Sequence, residues 1–262
     1  MIKKIFSIIG IVILFSIVAT YFILVSDLKE KGDRTIMCQN ITVSILDSLQ
    51  NRFVSKKEVK DILISSKANP LKQHPCDLNL SDMENLLNKK SAIKFSDVSV
   101  TRDGKILVDI TQRRPVLRIE TRFGGFYVDD TNYIFPLVNT FTSYVPIICG
   151  HIPIKLSEGY RGETADHESK WLNKILKFGK FLDNHEFWNA QIQQIYIEKN
   201  QDLVFYTRVG NQKIIFGQPE NIEYKFNKLN AYYHNIVPNE GWNKFKEINL
   251  KYSNQIICTE NK

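Results

Sequence analysis

The stretch FSDVSVTRDGKILVDITQRRPVLRI (Phe95–Ile119) holds two extended runs, a tight turn between them and an interruption after them. The runs FSDVSVTR and KILVDITQ predict two strands. The dipeptide Asp103-Gly104 that joins them is typical of two-residue hairpins, whose primed turns need positive φ. Arg113-Arg114-Pro115 then breaks the pattern, because Pro115 has no ladder donor and restricts Arg114 to extended backbone. We therefore expect one domain to end at Arg114 and a second sheet to begin with VLRIE.

The residues before this hairpin predict one strand and two helices. CQNITVSILD (Cys38–Asp47) alternates isoleucine and valine on one face, as a strand does. Two capping boxes, Ser55 to Glu58 and Ser81 to Glu84, each predict the start of a short helix. The order β-α-α-β-β predicts a three-stranded sheet covered on one face by two helices, in a domain that spans residues 37–114.

Residues 115–260 are expected to form a mainly antiparallel β domain with two helices, so the predicted fold class is α+β. The longer helix, Asp166 to Asp183, carries a row of lysines opposite its apolar face, which indicates a solvated surface rather than a nucleic-acid site. The second helix, Ile222 to Ile236, leads to the runs KEINL (Lys246–Leu250) and QIICT (Gln255–Thr259). A terminal strand is often a sheet edge, and a free edge is a template on which another chain can pair.

The first residues predict a membrane anchor. No charged residue occurs from Ile5 to Ser26, and 22 residues at about 1.5 Å per residue suffice to cross a bilayer core. The apolar run continues past Ala19 without a small-x-small motif, which favours an uncleaved helix over a signal peptide. Lys3 and Lys4 precede it, so the N-terminus is expected in the cytoplasm. This gives a cytoplasmic start at residues 1–4, a transmembrane helix at 5–26 and a juxtamembrane linker at 27–36.

The residue pattern offers little for catalysis or metal binding. Thirty-five basic and 28 acidic residues give a net charge of +7, a modest excess spread along the chain. The four cysteines show no C-x-x-C spacing, which argues against zinc and leaves disulfide pairing open. Ser91-Ala92-Ile93-Lys94 matches the S-x-x-K motif of penicillin-recognising enzymes, but its partner motifs are missing. We therefore predict no catalytic, metal or cofactor residues, and a binding role.

Two stretches carry a resemblance to a known family. VDITQRRPVLRI (Val108–Ile119) resembles the junction between the two outer domains of the FtsQ/DivIB cell-division proteins. The segment from Phe216 to Thr259 is similar to that family's closing unit of strand, helix and two final strands. The resemblance implies a single-pass protein of the cytoplasmic (inner) membrane, with a POTRA domain followed by a β domain outside the membrane. It also implies a non-enzymatic scaffold at the division septum that binds FtsB/DivIC-like and FtsL-like bitopic proteins and other divisome proteins, and that links early and late division proteins during septation. No nucleic-acid partner is expected.

The same resemblance points to the last strand as the partner-binding site. Lys251 and Tyr252 occupy the positions of a basic residue and a tyrosine associated with that contact, and strand addition follows them. The predicted partner-binding residues are Lys251, Tyr252, Gln255, Ile256, Ile257, Cys258 and Thr259. Ser253 to Cys258 lacks the small residues of the family, and Glu260 stands near an expected aromatic position. Strand alternation predicts that Ile256 and Cys258 face one way and Ile257 the other.

Two other classes remain as alternatives. An envelope protein with a POTRA-like domain could chaperone secreted or outer-membrane chains, or assist their translocation, also by strand addition. Transporters of that kind usually carry several POTRA modules and a barrel, for which 262 residues leave no room. A membrane-anchored hydrolase would need an assembled nucleophile and base, which the motifs do not supply.

Overall fold

The computed structural model describes residues 13–26, 37–49, 51–66 and 69–261. The chain divides into two compact units. One contains the residues up to Leu46 together with Val54–Thr111, and the other contains Asp47–Phe53 and everything from Gln112 onwards. The predicted division into residues 37–114 and 115–260 differs from this, because the short segment Asp47–Phe53 belongs with the second unit.

Residues 13–26 form a helix whose side chains are exposed. In the described part of the chain, no helix has both the length and the apolar character needed to cross a membrane. The predicted span at 5–26 begins in residues that lie outside the described ones, as do the predicted cytoplasmic start at 1–4 and linker at 27–36. The transmembrane helix therefore stays a prediction.

The first unit has the predicted β-α-α-β-β order. Its elements are β1 (Asn40–Ile45), α1 (Lys56–Ser65), a 3-10 turn (Pro75–Asp77), α2 (Leu80–Asn88), β2 (Ile93–Val100) and β3 (Lys105–Gln112). The strand order is β1-β3-β2, with β1 parallel to β3. The core combines alternate strand residues with the buried faces of both helices. It includes Ile41, Val43, Ile106, Val108, Val59, Leu63, Met83 and Leu87.

The helix caps and the hairpin turn of this unit differ in part from the prediction. Ser55 is confirmed as the N-cap of α1, since its Oγ accepts from the Glu58 amide at 3.1 Å, whereas the Glu58 carboxylate pairs with Lys90. The second helix, however, is capped by Asn79 and not by Ser81, because Asn79 Oδ1 accepts from the Asp82 amide while its Nδ2 donates to the Asp82 carboxylate. The β2–β3 turn closes through a hydrogen bond from the Gly104 amide to the Thr101 carbonyl.

Only one residue of that turn has positive φ. Gly104 has φ +78°, whereas Asp103 does not enter the left-handed region. The loop is therefore a three-residue hairpin with a glycine bulge and not the predicted two-residue primed turn.

The second unit is built on one large sheet. Its strands are β4 (Pro115–Thr121), β5 (Gly124–Asp129), β6 (Tyr133–Pro136), β7 (Ile147–Gly150), β8 (Gly162–Glu163), β9 (Ile192–Ile197), β10 (Leu203–Thr207), β11 (Lys213–Gly217), β12 (Phe245–Asn249) and β13 (Ile257–Glu260). In the described residues their order is β13-β12-β11-β10-β9-β7-β4-β5-β6-β8. The β4–β7, β7–β9 and β11–β12 pairs are parallel and the rest antiparallel. The predicted α+β class with a mainly antiparallel sheet is confirmed.

Two long helices pack against this sheet and contribute to one core. They are α3 (Asp166–Asp183) and α5 (Ile222–Asn235), which match the predicted ranges to within one residue. Two short helices, α4 (Glu186–Gln191) and α6 (Val237–Glu240), were not predicted because each is shorter than two full turns of periodic sequence. On α3 the lysine row is exposed, as expected, and the opposite face is buried. Gly179 lets α3 approach strand β4 closely, since a Cβ at this position would lie 3.0 Å from Val116 Cγ1.

Candidate protein-docking edge

Strand β13 lies at one edge of the second sheet. Among the described residues it pairs with β12 alone, antiparallel, with Cys258 opposite Ile248 and Ile257 opposite Asn249. The strand runs from Ile257 to Glu260, so Gln255 and Ile256 precede it, contrary to the predicted range. Tyr252 and Lys251 lie in the loop that connects the two strands.

The side chains of this strand alternate as predicted. Ile256 and Cys258 pack against the core of the unit, whereas Ile257 is 45% exposed. Tyr252 is also about half exposed, at 49%. The edge therefore offers one exposed aliphatic and one exposed aromatic side chain, and its opposite face anchors it to the domain.

Backbone alternation identifies which amides face outwards. The Asn261 amide donates to the Lys244 carbonyl at 2.9 Å, so Asn261 points its backbone groups at the β12 side. Because successive strand residues point their N–H and C=O groups to opposite sides, Ile257 and Thr259 also point towards β12. The backbone groups of Cys258 and Glu260 then point to the open side, where the described residues place no further strand.

Two other sheet edges in the described residues are capped or shorter than β13. On β2, an edge of the first sheet, the Val98 amide donates to Glu84 Oε1 at 2.9 Å. At the far edge of the second sheet, β8 contains only Gly162 and Glu163. Short strands and charged side chains are common ways of preventing unwanted pairing at an edge. Strand β13 is also short, with four residues, and ends in the charged Glu260, so only the outward backbone groups of Cys258 and Glu260 are available for pairing.

Helix α5 holds the loop before β13. Lys228 Nζ donates to the carbonyls of Leu250 and Tyr252 at 3.0 and 2.6 Å, and burial lowers the pKa of Lys228. The Tyr224 hydroxyl accepts from the Asn254 amide at 2.7 Å and donates to its Oδ1 at 2.9 Å. These contacts fix Asn254 at φ +57°, in the left-handed region that asparagine tolerates.

Lys251 turns back towards the body of the domain. Its Nζ lies 2.6 Å from Asp202 Oδ2, and the hydrogen bond to Asp202 raises the pKa of Lys251. Asp202 is 5% exposed, and it also accepts from Asn200 Nδ2 at 2.9 Å. The sequence singled out Lys251 but not Asp202, Tyr224 or Lys228, since these residues are far from the strand in the chain. The only sequence signal for the last two was their four-residue spacing on one helix face.

Beneath β13 lies a buried tyrosine without a hydrogen-bond partner among the described residues. The Tyr232 hydroxyl has no acceptor or donor within reach, and its ring is fully buried. Burial, together with the nearby Cys258 thiol, raises the pKa of Tyr232 to about 12.

The four cysteines are free thiols. In the described ranges, no cluster of histidine, cysteine and carboxylate side chains has the geometry of a metal site.

The two ends of the S-x-x-K motif lie in different elements. Ser91 lies in the turn after α2, and Lys94 is an exposed residue of β2. A concave area of about 580 Å³ lies on the solvent face of β9–β11, between the exposed rings of Tyr196 and Tyr206. It carries no set of groups that resembles a nucleophile and base.

Comparison with known protein families agrees with these two units. Residues 114–259 match the family model described as FtsQ/DivIB, C-terminal related, and residues 36–111 match a POTRA-like domain. No curated protein matches the chain. The first match contains β12, the connecting loop and most of β13, so the candidate docking edge lies within the matched residues.

Proposed function

The chain belongs to the FtsQ/DivIB family, and from this premise we propose that it is a non-enzymatic scaffold of the bacterial division machinery that captures FtsB/DivIC-like and FtsL-like bitopic proteins. The scaffold role follows from the family and from the POTRA-like domain that precedes the β domain. The proposed location is the cytoplasmic membrane at the division septum, with the N-terminus in the cytoplasm and the large domain outside. The anchor is the predicted span at 5–26.

The observation that carries the proposal is the open edge of β13. A partner strand that pairs with it would bond to the outward N–H and C=O groups of Cys258 and Glu260. Each such bond contributes about 0.5–1.5 kcal/mol once the edge is preformed. Ile257 and Tyr252 flank this edge with exposed apolar surface, and aromatic side chains often dominate interfaces. The site residues Gln255 and Ile256 lie before the strand and would contact only the end of an added segment.

A pair of proline variants tests strand addition. Glu260→Pro removes an amide that faces the open side, so we expect capture of the FtsB/DivIC-like protein of the same bacterium to weaken about tenfold or more, with the fold intact. Thr259→Pro removes an amide that faces β12, so it should also lower thermal stability. Glu260→Ala is the matched control. It removes the ion pair with Lys244 (3.4 Å) but keeps the amide.

The measurements are binding by surface plasmon resonance and melting by circular dichroism. Full capture by a folded Glu260→Pro variant would show that the edge is not the site.

The envelope-chaperone reading differs in its cellular location. A division scaffold fused to a fluorescent protein should concentrate at mid-cell before constriction, and its depletion should give filaments. A chaperone of secreted chains should be distributed around the envelope, and its depletion should leave division unchanged. Uniform envelope fluorescence with normal septation would favour the chaperone.

A further inference from the structure

Lys251 is the residue that the family resemblance assigns to a charge contact with the partner. The geometry points to a different role: we propose that Lys251 is a positioning residue, whose ion pair with Asp202 holds the loop before β13 so that the edge is preformed. This inference rests on the proposed function, since it concerns how the same docking edge is kept ready for its partner.

The first argument is where the Lys251 side chain goes. Its stem runs across Gly217 at the end of β11, so closely that a Cβ at Gly217 would lie 2.7 Å from Lys251 Cγ. Gly217 has φ +77°, which glycine adopts without strain. The ammonium then reaches Asp202, in the β9–β10 connection. One side chain thereby ties the terminal loop to the end of β11 and to the β9–β10 connection.

The second argument is that the receiving carboxylate is fixed in place. Asp202 is almost fully buried, and its amide donates to Asn200 Oδ1 at 3.1 Å while its Oδ2 accepts from Asn200 Nδ2. Gln218 Nε2 approaches its other oxygen, Oδ1, at 3.4 Å. A buried carboxylate needs a cation or several donors, and Lys251 supplies the cation. If the Lys251 ammonium bound a partner protein instead, Asp202 would lose that cation.

The third argument is that the neighbouring contacts act on the same loop. Lys228 binds the carbonyls on either side of Lys251, and Tyr224 binds Asn254 further along. Together with the Asp202 pair, these contacts hold a loop of irregular backbone that leads directly into β13. Ordering this loop in advance lowers the entropic cost of adding a partner strand.

The test compares two isosteric variants. Lys251→Met keeps the stem over Gly217 and removes the charge, and Asp202→Asn keeps the shape of the carboxylate. We expect each to speed hydrogen exchange of the Ile257 and Thr259 amides about tenfold in the protein alone, because local opening becomes easier. Exchange of the Ile119 amide in β4 should not change. Capture of the FtsB/DivIC-like protein should weaken to a similar extent in both variants, and the double variant should be no worse than either, as coupled residues behave.

Two further variants sharpen the comparison. Lys246→Met removes an exposed lysine of the adjacent strand β12 and should leave exchange at β13 unchanged. Lys251→Arg keeps a cation that can reach Asp202 and should restore both slow exchange and capture. If Lys251→Met lowers capture while exchange at β13 stays slow, Lys251 meets the partner directly and the proposal is wrong. Wild-type exchange and capture in a folded Asp202→Asn variant would overturn it equally.

The two proposals fail in different ways. If the wild-type protein captures no FtsB/DivIC-like partner, the proposed function is wrong, yet the exchange measurement still decides whether Lys251 positions the edge. If the wild type captures its partner and exchange at β13 is indifferent to both variants, the function stands and the positioning role is wrong.

Discussion

Replacing Phe53 by alanine should lower the free energy of unfolding of the second unit by about 3–5 kcal/mol, the range for removing a buried aromatic ring from a core. Phe53 is 1% exposed, and its ring meets those of Tyr127, Phe135 and Phe141 edge-on, with centroids 5.0–5.9 Å apart. Its carbonyl also accepts from Thr140 Oγ1 at 2.8 Å. The effect should appear in urea titrations followed by near-ultraviolet circular dichroism, which reports on packed aromatic rings.

The same segment offers a matched control. Leu49 is 93% exposed, so Leu49→Ala should change the free energy of unfolding by less than about 0.5 kcal/mol. Phe53→Leu, which refills part of the space, should fall between the two. A Phe53→Ala variant as stable as the wild type would mean that Asp47–Phe53 is not part of the second unit's core.

Replacing Arg113 by methionine should lower the free energy of unfolding by about 3 kcal/mol, because it leaves a buried carboxylate without its cation. Arg113 Nη1 lies 2.7 Å from Asp129 Oδ2, and Asp129 is fully buried. The guanidinium also stacks on the Tyr133 ring, 3.4 Å from its centroid. The other carboxylate oxygen already accepts from the amides of Thr131 and Tyr133, so the loss should not reach the upper end of the usual range.

The adjacent residue provides the comparison. Arg114 pairs with Asp183 at the same 2.7 Å, but both side chains are about half exposed, so Arg114→Met should cost less than about 1 kcal/mol. Combining Arg113→Met with Asp129→Asn removes the stranded charge and should recover part of the loss. Calorimetry should follow the thermal unfolding of the wild type, Arg113→Met, Arg114→Met and the double variant. Equal effects of the two arginine variants would contradict the buried-charge argument.

Local sequence signals predicted the elements that depend on local physics. The range Asp166–Asp183 followed from helical periodicity, and the faces of Ile256, Ile257 and Cys258 from strand alternation. Asn79 was missed because the more familiar box at Ser81 competes with it, and only the geometry shows which side chain meets the Asp82 amide. The bulged turn at Gly104 was missed because Asp-Gly suits two hairpin types.

Non-local pairing could not be obtained in this way. The position of β13 at an edge depends on which strands take the interior, and the parallel β11–β12 pair is set by the helix between them. Asp202 and Lys251 form an ion pair although they lie 49 residues apart in the sequence. No periodic pattern of residues predicts such a contact. The resemblance of two stretches to the FtsQ/DivIB family is confirmed by the match to residues 114–259.

The segment Asp47–Phe53 has a consequence for the time course of folding during synthesis. Its hydrogen-bond partner Thr140 lies 87 residues further along the chain. At a synthesis rate of about 5–20 residues per second, the Phe53 ring is made roughly 4–17 s before Thr140. During this interval a large apolar side chain lacks the native contacts that bury it in the finished protein. The closing contact is also of high sequence separation, and such contacts slow folding.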